Sequence, residues 1–264
     1  MPRLALLLRY QGSAYHGWQR QPNLATIQQA LEEALSAVAA ESIVVFCAGR
    51  TDARVHAIGQ VVHFDTQAIR PMRAWVLGTN RYLPPAIRVI SAQVVPESFH
   101  ARFSAESRSY RYYLYNHPIN SAVFFEQASW HLHRLDEVAM QAAGKYLLGE
   151  HDFSAFQGAG CQAKHPVRTI ESLTIERQGD WIVLSIRANA FLLHMVRNIV
   201  GTLLPIGRGE QAPAHLKAVL TSADRRLAGI TAQPNGLYLT EVSYPTVFQI
   251  PKSPEGFHIF QSLL

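Results

Sequence analysis

The order of elements in this sequence predicts an α+β protein made of two ferredoxin-like halves. Three observations carry that expectation. β-prone runs and amphipathic helical stripes follow one another as strand, helix, strand, strand, helix, strand, the split βαβ arrangement. The same order then starts again, which divides the chain into residues 1–106 and 107–264. With 264 residues, 48% of them hydrophobic and 16% charged, there is material for a core in each half.

In the first half, residues 3–10 are a β-prone run. Thr26 and Gln29 have capping-box spacing, and Ile27, Ala30, Leu31, Ala34, Leu35 and Val38 repeat at the i, i+3, i+4, i+7 interval of a helix with one buried face. Ser42 to Ala48 reads as a β-branched strand, and Gln60 to Asp65 alternates as a half-buried one. Pro71 suits the start of a second helix, Pro84-Pro85 stops it, and residues 87–95 form a closing strand.

The second half opens with a strand from Ser107 to Asn116. A helical face follows, lined by Leu135, Val138, Ala139, Ala142, Ala143, Tyr146 and Leu147. Arg168 to Arg177 and Trp181 to Ala188 form a hairpin about Gln178-Gly179-Asp180. A helix from Ala190 to Leu204 buries Leu192, Met195, Val196, Ile199, Val200, Leu203 and Leu204. A short extra helix near 213–221 and a strand from Leu237 to Tyr244 complete the half.

Several function classes are disfavoured. The apolar run at the N-terminus is too short for a signal peptide, and the most apolar stretch, Phe191 to Ile206, carries His194, Arg197 and Asn198. Cys47 and Cys161 cannot build a disulfide framework and lie in no CxxC pattern, so a reducing cytoplasm is expected. His131 and His133, or Cys161 and His165, fall short of a zinc ligand set, and no metal is expected. The formal charge of +5 admits an anionic partner.

Three segments could carry chemistry. In Cys47-Ala48-Gly49-Arg50-Thr51-Asp52-Ala53-Arg54-Val55-His56, a carboxylate stands between two guanidiniums, and nearby positive charge favours its ionised form. An ionised, positioned aspartate suits covalent catalysis. The same residues also suit an Asx-type turn that caps local backbone amides. In Phe99 to Tyr113, arginines interleave with aromatics as phosphate contacts and stacking platforms do, and as an ordinary half-buried sheet does. Strand alternation puts Tyr110 and Tyr112 on one face and Arg111 and Tyr113 on the other. On the helix after Ala190, His194, Arg197, Asn198 and Gly201 form a polar stripe, ordinarily a solvated face unless an acid lies opposite Arg197.

Together these segments resemble the tRNA pseudouridine synthase I family. The matching stretches are YQGSAYHGWQRQP (10–22), AGRTDARVHA (48–57), GQVVHF (59–64), FHARFSAESRSYRY (99–112), GEHDFSAF (149–156), ANAFLLHMVRNIVGTLL (188–204) and GLYL (236–239), in family order over nearly the whole chain. The resemblance implies a fold of two α/β halves joined through an extended, mainly antiparallel sheet. It implies conversion of uridine to pseudouridine in the anticodon stem-loop of tRNA, at tRNA positions 38, 39 and 40, by a homodimer without metal or organic cofactor. Asp52 is then the nucleophile, Arg50 the neighbour that helps hold the extruded nucleotide, Tyr110 the ring that stacks on the uracil, and Arg197 the partner set against the aspartate.

The chemistry follows. The target base must leave its stack, at a cost that phosphate contacts offset. The carboxylate attacks C6 of the uracil or C1′ of the ribose, the N-glycosidic bond breaks, the uracil turns, a C5–C1′ bond forms and the C5 proton leaves. No redox change occurs. A non-catalytic tRNA-binding protein on the same scaffold is the competing expectation, against which an intact Asp52 in its motif speaks. One departure is Arg54, where the family loop carries glycine. A non-glycine residue tolerates positive φ poorly, so either ordinary backbone angles or a shifted loop is expected there.

Overall fold

A computed structural model describes residues 1–251; the tail after Pro251 lies outside the described residues. The first half comprises β1 (Arg3–Tyr10), α1 (Ile27–Ala39), β2 (Phe46–Cys47), β3 (His56–Asp65), a π-turn (Ala74–Gly78) continuing into α2 (Thr79–Tyr82), and β4 (Ile87–Val95). The second comprises β5 (Ser107–Asn116), β6 (Ser129–His131), α3 (Glu137–Gly144), β7 (Gly149–Asp152), β8 (Val167–Gln178), β9 (Trp181–Ala188), α4 (Met195–Gly207), α5 (Ala214–Ser222) and β10 (Leu237–Ser243). The molecule is α+β, with one large, mostly antiparallel sheet.

In the first half the strand order is β4-β1-β3, with β2 on the outer edge of β3; in the second it is β10-β5-β9-β8, with β7 beyond. Each half thus inserts its third strand between its first and second and its first between its third and fourth, as a split βαβ unit must. The two units join where β10 pairs in parallel with the start of β3, Tyr238 opposite His56 and Leu239 opposite Ala57. β2 takes the far end of the same edge, Phe46 opposite His63 and Cys47 opposite Val62. The junction is tight. A Cβ on Gly59 would sit 2.1 Å from the Thr240 carbonyl oxygen, at the position where the β10 register shifts against β5.

Four local expectations need correction. Thr26 occupies the N-cap of α1 in extended conformation but makes no side-chain cap hydrogen bond, so no capping box forms. The strand expected over 42–48 shrinks to Phe46–Cys47, because the Ile43 and Val45 N–H groups donate to the Ser36 and Glu32 side chains of α1 rather than to β3. β3 is buried along both faces rather than half-buried: Phe64 packs on Trp75 from one face and His63 meets Phe99 and His100 on the other. The last long helix starts at Met195 rather than Ala190. Among the described residues no helix is long and apolar enough to cross a membrane.

Two buried histidines on β3 tie fold stability to pH. Nδ1 of His56 accepts the Gly12 N–H at 3.1 Å, and Nδ1 of His63 accepts the Ala101 N–H at 3.1 Å. Burial holds each imidazole neutral, lowering its pKa from 6.5 to about 4. The folded pKa lies below the unfolded one, so the unfolded chain binds these protons first. Stability is complete above about pH 6.5 and falls as pH drops toward 4, by about 2 kcal/mol per ring at pH 5. Chemical denaturation at pH 7 and pH 5 measures this. His63→Asn, which keeps an acceptor near the Nδ1 position, is expected to show a shallower loss than wild type.

Candidate active site

The loop from Gly49 to Val55, between β2 and β3, is built from beneath. The Gln60 side chain on β3 donates to the Gly49 carbonyl at 2.7 Å and to Tyr10 Oη at 3.3 Å, and the Tyr10 and Thr51 hydroxyls meet at 2.8 Å. Residues 10–18 press against the loop from one side, with Trp18 N–H donating to Thr51 O at 3.0 Å and Arg54 N–H to Tyr15 O at 3.1 Å. That approach requires glycine twice. A Cβ on Gly12 would lie 2.0 Å from the Val55 carbonyl oxygen, and one on Gly17, at φ +90°, would lie 2.8 Å from Thr51 O. The YQGSAYHGW stretch is therefore the bed that turns Thr51 inward and leaves the Asp52 carboxylate facing out, 21% exposed.

From the second half, α4 brings a cation to that carboxylate. Arg197 Nη1 donates to Asp52 Oδ2 at 3.0 Å, while its Nε donates to the Ala232 carbonyl at 2.8 Å. The Ala232 N–H returns a hydrogen bond to Arg197 O at 3.1 Å, so side chain and backbone are both anchored on the segment before β10. His194 Nε2 approaches the same Oδ2 at 3.5 Å. The polar stripe of α4 is thus not a solvated face. Asn198 is fully buried; its Nδ2 donates to Phe156 O at 2.8 Å and its Oδ1 accepts from Thr231 Oγ1 at 2.7 Å. This accounts for the DFSAF stretch, whose last carbonyl holds α4 in place.

Tyr110, on β5, is 8% exposed, and its ring meets Phe191 edge to face at 4.9 Å. Its hydroxyl lies 3.7 Å from where a Cβ of Gly49 would be, so the glycine leaves space beside it. Burial first, and the Asp52 charge after it, push the phenol above its ordinary pKa. Arg50 points elsewhere: its Nη1 donates to Gln162 Oε1 at 3.3 Å, in the connection from β7 to β8. Among the described residues the side chains paired with Asp52 are Arg197 and His194, not the two loop arginines. His194 was visible in the sequence only as a member of the stripe; its i, i+3 relation to Arg197 is the signal that could have singled it out.

Two further expectations change. Arg108, read with the phosphate-facing arginines, spends its guanidinium on four carbonyls: Ala105 at 3.2 Å, Asn189 at 3.0 Å, Ala48 at 3.1 Å and Arg102 at 2.6 Å. It clamps the entry to the Asp52 loop, and Arg102, Arg50 and Arg54 are left exposed. Arg54 has neither ordinary angles nor a shifted loop; it holds φ +65° itself. The left-handed conformation costs a non-glycine residue about 1–2 kcal/mol, of which glycine's larger unfolded-state entropy recovers part. Arg54→Gly is therefore expected to raise stability by about 0.5–1 kcal/mol in a thermal melt. Among the described residues no group of three His, Cys, Asp or Glu side chains is placed to hold a metal ion.

Comparison with known proteins bears on this arrangement. The family model described as tRNA pseudouridine synthase matches residues 7–104 and 143–245, which include Asp52, His194 and Arg197 but not Tyr110 on β5. The chain is 55% identical over 256 residues to tRNA pseudouridine synthase A of Coxiella burnetii, covering 97% of this chain and 98% of that one. The enzyme of the same name from Pseudomonas aeruginosa is 52% identical over 262 residues, covering 99% and 92% of the two chains. That from Vibrio parahaemolyticus is 50% identical over 254 residues, covering 96% of each.

Proposed function

Because the chain belongs to the tRNA pseudouridine synthase family, isomerases that act on uridine in tRNA, we propose that it forms pseudouridine at positions 38, 39 and 40 of the anticodon stem-loop with Asp52 as its nucleophile. The observation that carries the assignment of Asp52 is its ion pair with Arg197 at 3.0 Å, which joins the two halves across the mouth of a basic loop. Arg197 reaches Oδ2, and among the described residues no hydrogen bond is given to Oδ1, so Oδ1 is the oxygen free to attack. It bonds to C6 of the uracil or C1′ of the ribose. The N1–C1′ bond breaks, the base turns, C5 bonds to C1′, and the bond to Oδ1 breaks to return the free carboxylate. The C5 proton leaves and N1 gains one, so the product is an isomer and no external reductant or oxidant is needed.

Tyr110 stacks on the extruded uracil, a contact worth about 1–3 kcal/mol per base at other single-strand sites. Arg50, exposed and held by a single neutral partner, is free to turn to the substrate phosphate and hold the nucleotide out. Residues 1–106 and 107–264 act as two halves that meet at the site. Two copies of the chain in the cytoplasm bind one tRNA, which concentrates a net charge of only +5 per chain.

The test is to incubate unmodified tRNA with the pure protein and map carbodiimide-stable adducts by primer extension. A new stop in the anticodon arm supports the reading; an unchanged pattern with intact binding points instead to a non-catalytic tRNA-binding protein. Tyr110→Phe is expected to retain most turnover and Tyr110→Ala to lose most of it, because the ring supplies the contact. Wild-type rates in both variants would remove Tyr110 from the site.

A further inference from the structure

We propose that His194 is a positioning residue for the reaction, gripping Oδ2 of Asp52 beside Arg197 so that Oδ1 keeps one direction of attack; the proposal rests on Asp52 being the nucleophile. Three observations converge on it. The first is the approach of Nε2 to Oδ2 at 3.5 Å, on the oxygen that Arg197 holds at 3.0 Å. Such contacts are commonly long in a substrate-free site and tighten when the site is filled.

The second is backbone strain. His194 is the N-cap of α4 and sits at φ +61°, ψ 2°, where glycine or asparagine is accommodated at least cost. Its side chain makes no hydrogen bond to cap the helix, so capping does not explain a histidine there. Strain kept at a site with a titratable side chain points to a use for that side chain.

The third is the space prepared for the ring. A Cβ on Gly158 would lie 2.8 Å from Nδ1 and 3.0 Å from Cγ of His194, so only glycine lets the imidazole stand between that loop and Asp52. The Gly158 N–H donates to Leu193 O at 2.8 Å and fixes the approach. His194 O in turn accepts the Asn198 N–H at 2.9 Å, which makes the histidine part of the same rigid turn as Arg197. The two grips on Oδ2 therefore move as one body.

Among the described residues the charged groups gathered with His194 at this oxygen are Asp52 from the β2–β3 loop and Arg197 from α4. In its neutral form the ring orients the carboxylate through an N–H.

Steady-state turnover on unmodified tRNA, with kcat and KM separated, tests this with His194→Gly, His194→Gln and Asp52→Asn. Glycine relieves φ +61° and so keeps the fold, with a thermal midpoint at or above wild type. His194→Gly is expected to lower kcat about 10²-fold, the scale of a misplaced attacking group, with little change in KM. His194→Gln, whose amide nitrogen can reach the Nε2 position, is expected to recover most of that loss. A kcat in His194→Gly within about twofold of wild type would overturn the proposal, and so would equal damage in the Gln and Gly variants. Turnover in Asp52→Asn would instead overturn the assignment of the nucleophile, so the two failures are distinguishable.

Discussion

Asp52→Asn is expected to bind tRNA and to form no pseudouridine. Asparagine keeps the shape of the side chain, and its amide oxygen can still accept from Arg197 Nη1, which now lies 3.0 Å from Oδ2. What disappears is the negative charge and the nucleophilic oxygen. Loss of a covalent nucleophile lowers turnover on the order of 10⁴-fold or more. Stability is expected to change little, by about 1 kcal/mol, because the pair is only partly buried, with Arg197 14% and Asp52 21% exposed. Affinity for tRNA at low salt should hold or rise, since one repulsive charge leaves a surface that includes Arg50 and Arg54. Asp52→Glu should fail almost as completely, because one methylene displaces an atom that must sit within about 3–3.5 Å of its target. Turnover within about tenfold of wild type in Asp52→Asn, measured on protein free of host enzyme, would sink the assignment.

How much of this was legible in the sequence depends on whether the cause was local. The amphipathic stripe of α1 and the hairpin about Gly179 are set by near neighbours, and both occur where the periodicity placed them. β2 is short because the Ile43 and Val45 N–H groups bond to the Ser36 and Glu32 side chains of α1 rather than to β3, and the β-branched pattern after Ser42 does not contain that information. The start of α4 is late for a similar reason. Residues before Met195 are held by Gly158 and Asn189 rather than by helical hydrogen bonds. The composition of the site, with Arg197 set against Asp52, was readable as the resemblance of several motifs taken together; the approach of His194 to the same oxygen was not. Arg50 and Arg54 stand two residues on either side of Asp52, yet among the described residues the side chains paired with it are Arg197 and His194 from the other half. Nearness in the chain is a poor guide to charge partners when a long-range contact supplies them.

Gly201→Ala is expected to damage both stability and turnover, through one displacement. A Cβ at position 201 would lie 1.8 Å from the Ile230 carbonyl oxygen and 2.9 Å from its carbon, and both obstacles are backbone. No rotamer change relieves such a contact, so α4 and the 229–232 segment must separate. The separation is opposed from the other side, where a Cβ on Gly229 would itself fall 2.2 Å from Gly201 O. Overpacking of this kind typically costs about 1–3 kcal/mol and occasionally more, and backbone against backbone belongs at the upper end. The same segment carries Ala232, which accepts from Arg197 Nε at 2.8 Å and donates to Arg197 O at 3.1 Å. Moving it withdraws the anchor that aims Arg197 at Asp52, one turn of helix before the altered residue. Turnover should therefore fall by about 10²-fold in protein that still melts cooperatively, since a shift near 1 Å at an attacking group has that effect. Denaturation midpoints and single-turnover rates on the same preparation separate the two losses. A variant with the wild-type midpoint and wild-type rate would show that α4 and the 229–232 segment do not meet as closely as the fold requires.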